Sequence, residues 1–200
     1  MENIDALVEA VVGRLFVPVE ASGRHVHLTK EQALSLFGHE LTPKRPLSQP
    51  GQFLCEERVT LIGPKGEFER VAVLGPERKE AQVEISLTDA RVLGIDPPIR
   101  PSGKVAGTPG ITLRGALGEV KLSNGVMVAQ RHIHLHPRQA ENLGVCDKQV
   151  VRLQVLTNRP VIFEDVVVRV SSQYEGAAHL DYDEANACAL MPGDLGRILT

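Results

Sequence analysis

The sequence predicts a mainly β fold: two similar small antiparallel β-barrels from an internal duplication, capped by short helices and preceded by an N-terminal amphipathic helix. Three observations predict it. A thirteen-residue block occurs twice, short Val-rich runs alternate with turn signals, and 18 Gly and 13 Pro punctuate a chain of 200 residues. With no Trp, two Tyr and five Phe in a chain that is 42% hydrophobic, the core must be built from Val, Leu and Ile. Such a length buries one sizeable core or two small ones.

Residues 2–15 read as a helix, because Ile4, Leu7, Val8, Val11, Val12 and Leu15 recur at helical spacing before Pro18. It either docks on the domain or serves as a detachable recognition helix for a partner surface. The domain reading is this helix over 1–16, a first barrel half over 17–100 and a second over 101–200, with strands free to be exchanged between halves. Residues 97–110 are the candidate connection. Val59–Ile62 and Arg70–Leu74 flank the turn Pro64-Lys65-Gly66, and Ile111–Leu113 and Glu119–Leu122 flank a Gly-bearing turn. Val126–Ala129 follows Asn124-Gly125, a favoured hairpin dipeptide, and Val150–Val155 and Val161–Val170 flank Asn158-Arg159-Pro160.

The duplicated block reads RHVHLTKEQALSL at 24–36 and RHIHLHPRQAENL at 131–143, with seven identities in thirteen positions. The likeness returns, more weakly, in EISLTDA at 84–90 and HLDYDEA at 179–185, which puts Glu84 opposite His179 and Asp89 opposite Glu184. Each half therefore opens on His-x-His and closes on a potential metal ligand that leads into a short helix.

Side chains two apart on a strand share a face, so His25 and His27 present two imidazoles together while Val26 faces the core, and His132, Ile133 and His134 repeat the arrangement. Thr29 and Gln32 have the spacing of a capping box, and Pro137 stands at a plausible first helical position. Both pairs thus lie at strand-to-helix junctions. Neutral imidazole suits zinc, and a catalytic zinc takes three protein ligands and keeps an open position. His25, His27 and Glu84 would make one such set, and His132, His134 and His179 a second. His39 and His136 lack counterparts and read as surface or capping residues. Arg24 and Arg131, which precede the pairs, either support the metal groups, bind phosphate or form plain ion pairs.

A formal charge of −3 argues against a nucleic-acid scaffold, which needs a basic face. No apolar run approaches the roughly 20 residues that span a bilayer. The acidic N-terminus lacks the pattern of a secretory signal, and three widely spaced cysteines (Cys55, Cys146, Cys188) fit a reducing cytoplasm.

RHVHL, GPERKEAQVEISLTDARVLGI, RHIHL and the Asp183–Ala187 segment DEANA, in that order, resemble the phosphate propanoyltransferases of propanediol utilisation, the PduL-type phosphate acyltransferases. The resemblance covers roughly residues 17–199. It implies two similar β-barrels with a two-zinc site and the reversible reaction of an acyl-CoA with phosphate to give acyl phosphate and coenzyme A. It carries the zinc ligands to His25, His27, Glu84, His132, His134 and His179, and the phosphate-handling arginine to Arg78. Coenzyme A is then a substrate. A cytoplasmic homodimer fits the common habit of such small enzymes. Family members in bacterial microcompartments often carry an N-terminal encapsulation helix, so residues 2–15 would reach a microcompartment shell or core. One departure stands out: the segment that often reads Arg-Asp-Ser-Gly-Asp in this family is Arg100-Pro101-Ser102-Gly103-Lys104 here.

Three competing readings remain at this level. A cupin-like metalloprotein would add Glu31 to His25 and His27, although Arg138 stands at the corresponding place in the second copy. A zinc thioester hydrolase would use water in place of phosphate. A non-catalytic assembly component would hold zinc in closed structural sites.

Overall fold

In a computed structural model, residues 11–200 are described. The helix expected over 2–15, and any partner surface on it, lies mostly outside the described residues; positions 11–15 are helical. The rest is mainly β, and its contacts separate into two units: Gly23–Gln130, and Arg131–Thr200 joined by the strand that precedes Gly23.

That strand, β1 (Val17–Ser22), closes a six-stranded barrel with segments from the second half of the chain. The others are β11 (His132–Leu135), β12 (Val150–Leu156), β13 (Val161–Val170), β14 (Ala177–Asp181) and β15 (Leu195–Leu199), in the order β1-β14-β11-β13-β12-β15. Alternate residues point inward, so Ile133, Leu135, Leu153, Val166, Val168 and Leu180 form an aliphatic core.

The unit Gly23–Gln130 forms a nine-stranded curled sheet rather than a second closed ring. Its members are β2 (His25–His27), β3 (Pro43–Pro46), β4 (Phe53–Ile62), β5 (Glu67–Gly75), β6 (Gln82–Glu84), β7 (Ile99–Arg100), β8 (Thr112–Arg114), β9 (Glu119–Lys121) and β10 (Val126–Ala129). They run β7-β10-β6-β2-β5-β4-β8-β9, with β3 on β4. Val26, Leu28, Leu61, Val73, Val83 and Leu113 fill this core, again without large aromatics.

Both sheets are mixed. Each His-x-His strand lies between one parallel and one antiparallel neighbour: β2 between β5 and β6, β11 between β13 and β14. A parallel pair needs a long crossover, and in each half a capped helix and a hairpin supply it. These helices are α1 (Lys30–Phe37) and α3 (Pro137–Leu143); α2 (Leu87–Leu93) and α4 (Tyr182–Ala187) follow β6 and β14. All four start on a capping box. Thr29 Oγ1 accepts from Gln32 N–H at 3.3 Å, while Gln32 Oε1 accepts from Thr29 N–H at 2.9 Å. His136 caps α3: its Nδ1 accepts from Arg138 N–H at 3.3 Å.

The expected hairpins β4–β5, β8–β9 and β12–β13 are present. The hairpin expected at Asn124-Gly125 is not, since β10 pairs in parallel with β6 and β7 instead of with β9. Thr108 Oγ1 takes the Gly125 N–H at 2.8 Å, and a Cβ on Gly125, at φ +120°, would come within 2.9 Å of Ala81 O. Glycine is needed there for this close passage, not for a two-residue turn.

Candidate metal centre

Strand register brings the repeated residues together. On antiparallel β2 and β6, His25 faces Glu84, Val26 faces Val83, and His27 faces Gln82. On antiparallel β11 and β14, His132 faces His179, Ile133 faces Ala178, and His134 faces Ala177. Val26, Val83, Ile133 and Ala178 point into the two cores, which fixes the polar residues between them on the opposite face.

In each group the three candidate ligand atoms lie within 4.8 Å of one another, and all but the half-buried His179 are buried. His25 Nδ1–H donates to Gly23 O at 2.8 Å and His27 Nδ1–H to Leu74 O at 3.1 Å. Those bonds turn each Nε2 lone pair toward the group, the arrangement that fixes the tautomer of metal-binding histidines. His25 Nε2 stands 3.6 Å from Glu84 Oε2, and His134 Nδ1 stands 3.2 Å from His179 Nε2. Two ligands about 2.0–2.1 Å from one tetrahedral ion are separated by about 3.3 Å, so the spacing fits zinc. His179 Nδ1 faces Glu20 Oε2 at 3.7 Å.

Burial holds His27 and His134 neutral. His27 titrates well below the usual histidine range because it is desolvated, with His25 and Arg78 adding repulsion and the Leu74 carbonyl opposing. His134 is pushed down to about 3 by burial, then by His179 and Arg169. Neutral imidazole is the ligating form.

Arg78 lies on the turn between β5 and β6, held by its N–H to Leu28 O at 2.8 Å. With Pro50, Gly51, Gln52, Gly75 and Pro76 it lines an open pocket of about 270 Å³. Burial lowers its pKa and Glu84 opposes the shift, which places the guanidinium within the field of the first group. Among the described residues it makes no ion pair. A largely desolvated guanidinium that makes no ion pair is suited to receive an anion.

Arg24 and Arg131 resolve as ion pairs. Arg24 Nη2 donates to Asp89 Oδ1 at 2.6 Å and stacks on Phe68 with its carbon 4.1 Å from the ring centre. Arg131 Nη1 stands 3.0 Å from Glu184 Oε1. Each pair ties a His-x-His strand to the helix after the opposite strand. Glu31 is exposed in the first turn of α1, which removes the cupin-like set. Cys55 is fully buried, its thiol pushed up to about 12 by burial; Cys188 is buried and shifted in the same direction for the same reason. Neither is a nucleophile.

Two residues escaped the sequence reading. Gln82 is buried against Glu84 and Ser102, and Tyr174 stacks on His134 with ring centres 4.2 Å apart. Gln82 had a usable signal, since it lies two residues before Glu84 on one strand and so shares its face. Tyr174 lies on an irregular loop, where no periodicity points to it.

A curled sheet and a barrel, each presenting a group of three candidate metal ligands on a duplicated strand pair, define a β protein built by duplication. The family model described as phosphate propanoyltransferase matches residues 18–191. Phosphate propanoyltransferases of Enterococcus faecalis and Clostridioides difficile are each 50% identical over 100% of this chain, which covers 98% and 99% of them. That of Thermotoga maritima is 52% identical over 88% of this chain and 86% of its own length. The chain belongs to the phosphate propanoyltransferase family, a family of acyltransferases.

Proposed function

We propose that the chain is a two-zinc phosphotransacylase that moves a short acyl group, propanoyl or acetyl, reversibly between coenzyme A and inorganic phosphate. The observation that carries this reading is the pair of three-ligand groups in matching register, one of them beside the unpaired Arg78. His25, His27 and Glu84 would hold one ion, and His132, His134 and His179 the other. When bound, the ions supply Lewis acidity that stabilises thiolate and oxyanion charge.

The chain's own residues do the rest. Arg78 takes phosphate through charge-assisted hydrogen bonds, with its fork matching two oxygens. A phosphate oxygen forms the new bond to the thioester carbonyl carbon, the carbon–sulfur bond breaks, and sulfur leaves as thiolate with the bonding pair. This direct transfer needs no protein nucleophile, in agreement with the buried, high-pKa Cys55 and Cys188. Neutral His27 and His134 keep their lone pairs for ligation instead of taking a proton. The same reading makes the protein a cytoplasmic homodimer, with residues 2–15 as the segment that would address it to a microcompartment. No helix among the described residues is long and apolar enough to cross a membrane.

The test is coenzyme A release from propanoyl-CoA and acetyl-CoA with phosphate varied, acyl phosphate trapped, and zinc measured on the same sample. Release that rises with phosphate and yields acyl phosphate is expected. Equal release without phosphate would instead make the protein a thioester hydrolase.

A further inference from the structure

Besides the third ligand candidate, Glu84 against His179, the two halves differ in polarity at the position opposite the second histidine. Where β14 has Ala177 opposite His134, β6 has Gln82 opposite His27, and Gln82 is 1% exposed. Its amide is fully used. Nε2 donates to Glu84 Oε1 and, at 2.9 Å, to Ser102 Oγ; Oε1 accepts from Gly103 N–H at 2.7 Å. A backbone N–H can only donate, so the Gly103 contact fixes which end of the amide is oxygen.

The difference has a chemical reason. His179 has a second ring nitrogen, and Glu20 faces it, so its orientation is set from behind. A carboxylate has no such handle. Either oxygen of Glu84 could turn toward His25, and the group could rotate about its last bond. The bond from Gln82 occupies Oε1 and leaves Oε2 toward His25 at 3.6 Å. Alanine suffices where the third group is imidazole, whereas a donor is required where it is carboxylate.

We infer that Gln82 is a positioning residue, which locks the Glu84 carboxylate for the first metal group and fastens the Ser102–Gly103 loop to it. This rests on the reading that His25, His27 and Glu84 hold an ion.

The test is zinc competition with a chromophoric chelator, which resolves two equivalents in the wild-type protein. Gln82→Leu keeps the size and removes every bond; it should weaken one equivalent by roughly ten- to hundredfold and leave the other at its wild-type affinity. Gln82→Glu keeps the acceptor for Gly103 but sets a carboxylate against Glu84, and should show the same selective loss. It decides the matter alone if Gln82→Leu fails to fold. Ser102→Ala, which retains the bonds to Glu84 and Gly103, should hold both equivalents as the wild type does. Wild-type affinity for both ions in the Gln82 variants would overturn the assignment, as would an equal weakening of both, or a loss in Ser102→Ala as large as in Gln82→Leu. Wild-type protein that takes up no zinc would overturn the metal reading itself and this inference with it.

Discussion

Glu84 stands directly across from His25 on neighbouring antiparallel strands, the same register in which His179 stands across from His132. The third candidate ligand of each half is therefore fixed by strand pairing, and the two groups can be dissected one at a time. His179→Ala should lower bound zinc from two equivalents to one, with His25, His27 and Glu84 retaining theirs, and Glu84→Ala should do the reverse. Elemental analysis of gel-filtered protein checks both. Loss of both ions from either variant would contradict two independent groups.

Arg78 is the group proposed to bind phosphate. Its replacement by Ala removes charge-assisted hydrogen bonds worth about 1.5–3 kcal/mol, roughly ten- to hundredfold in the phosphate requirement. Bound zinc should be unchanged, because Arg78 holds no ligand by a hydrogen bond. Arg78→Lys should recover only part of the loss, since an ammonium cannot engage two oxygens in one plane. Steady-state kinetics with phosphate varied checks this; an unaltered phosphate dependence would remove Arg78 from the site.

The grouping of the candidate ligands was legible in the sequence because duplication aligned them and alternation put them on one face. What was not legible depended on distant partners. Asn124-Gly125 has hairpin propensity, yet β10 is captured by β6 and β7, strands far away in sequence, and non-local pairing overrides a local preference. The second barrel closes only because β1, from the other end of the chain, pairs with β14 and β15. Alternation puts Gln82 on the face of Glu84, but its bonds to Ser102 and Gly103 come from a loop that alternation does not place. Arg24 and Arg131 were ambiguous among metal support, phosphate binding and ion pairing. The alignment of Asp89 with Glu184 held the answer, since each acid lies where its arginine reaches.

Those arginines should matter to stability and not to chemistry. Asp89 is only 3% exposed, so Arg24→Ala leaves a buried carboxylate without its guanidinium and should lower stability by about 1–3 kcal/mol. Zinc content and activity per folded molecule should stay at the wild-type level. Denaturant unfolding and kinetics on the same preparation separate the two effects. A variant of full stability that lost phosphate affinity would return Arg24 to the anion site.

The second copy of this pair carries a pH signature. Burial, and next the carboxylate of Asp181, push Glu184 up to about 7, and the opposing pull of Arg131 offsets this without cancelling it. Between the ordinary 4.5 and about 7 the folded chain therefore holds more protons than the unfolded chain, and this group's contribution to stability is lost as pH rises through that window. His134 works the other way. Pushed down to about 3 from 6.5, it makes the unfolded chain the better proton acceptor, so its contribution is lost as pH falls below 6.5. The two terms oppose each other between pH 4.5 and 6.5. Glu184→Gln keeps the capping geometry and removes only the first. The stability difference between variant and wild type should be near zero below pH 4.5, grow as pH rises and level off above about 7, at no more than about 3 kcal/mol. Thermal unfolding from pH 4 to 8 measures that difference. Parallel curves would mean that Arg131 keeps Glu184 ionised throughout, and the ion pair at 3.0 Å would then outweigh its burial.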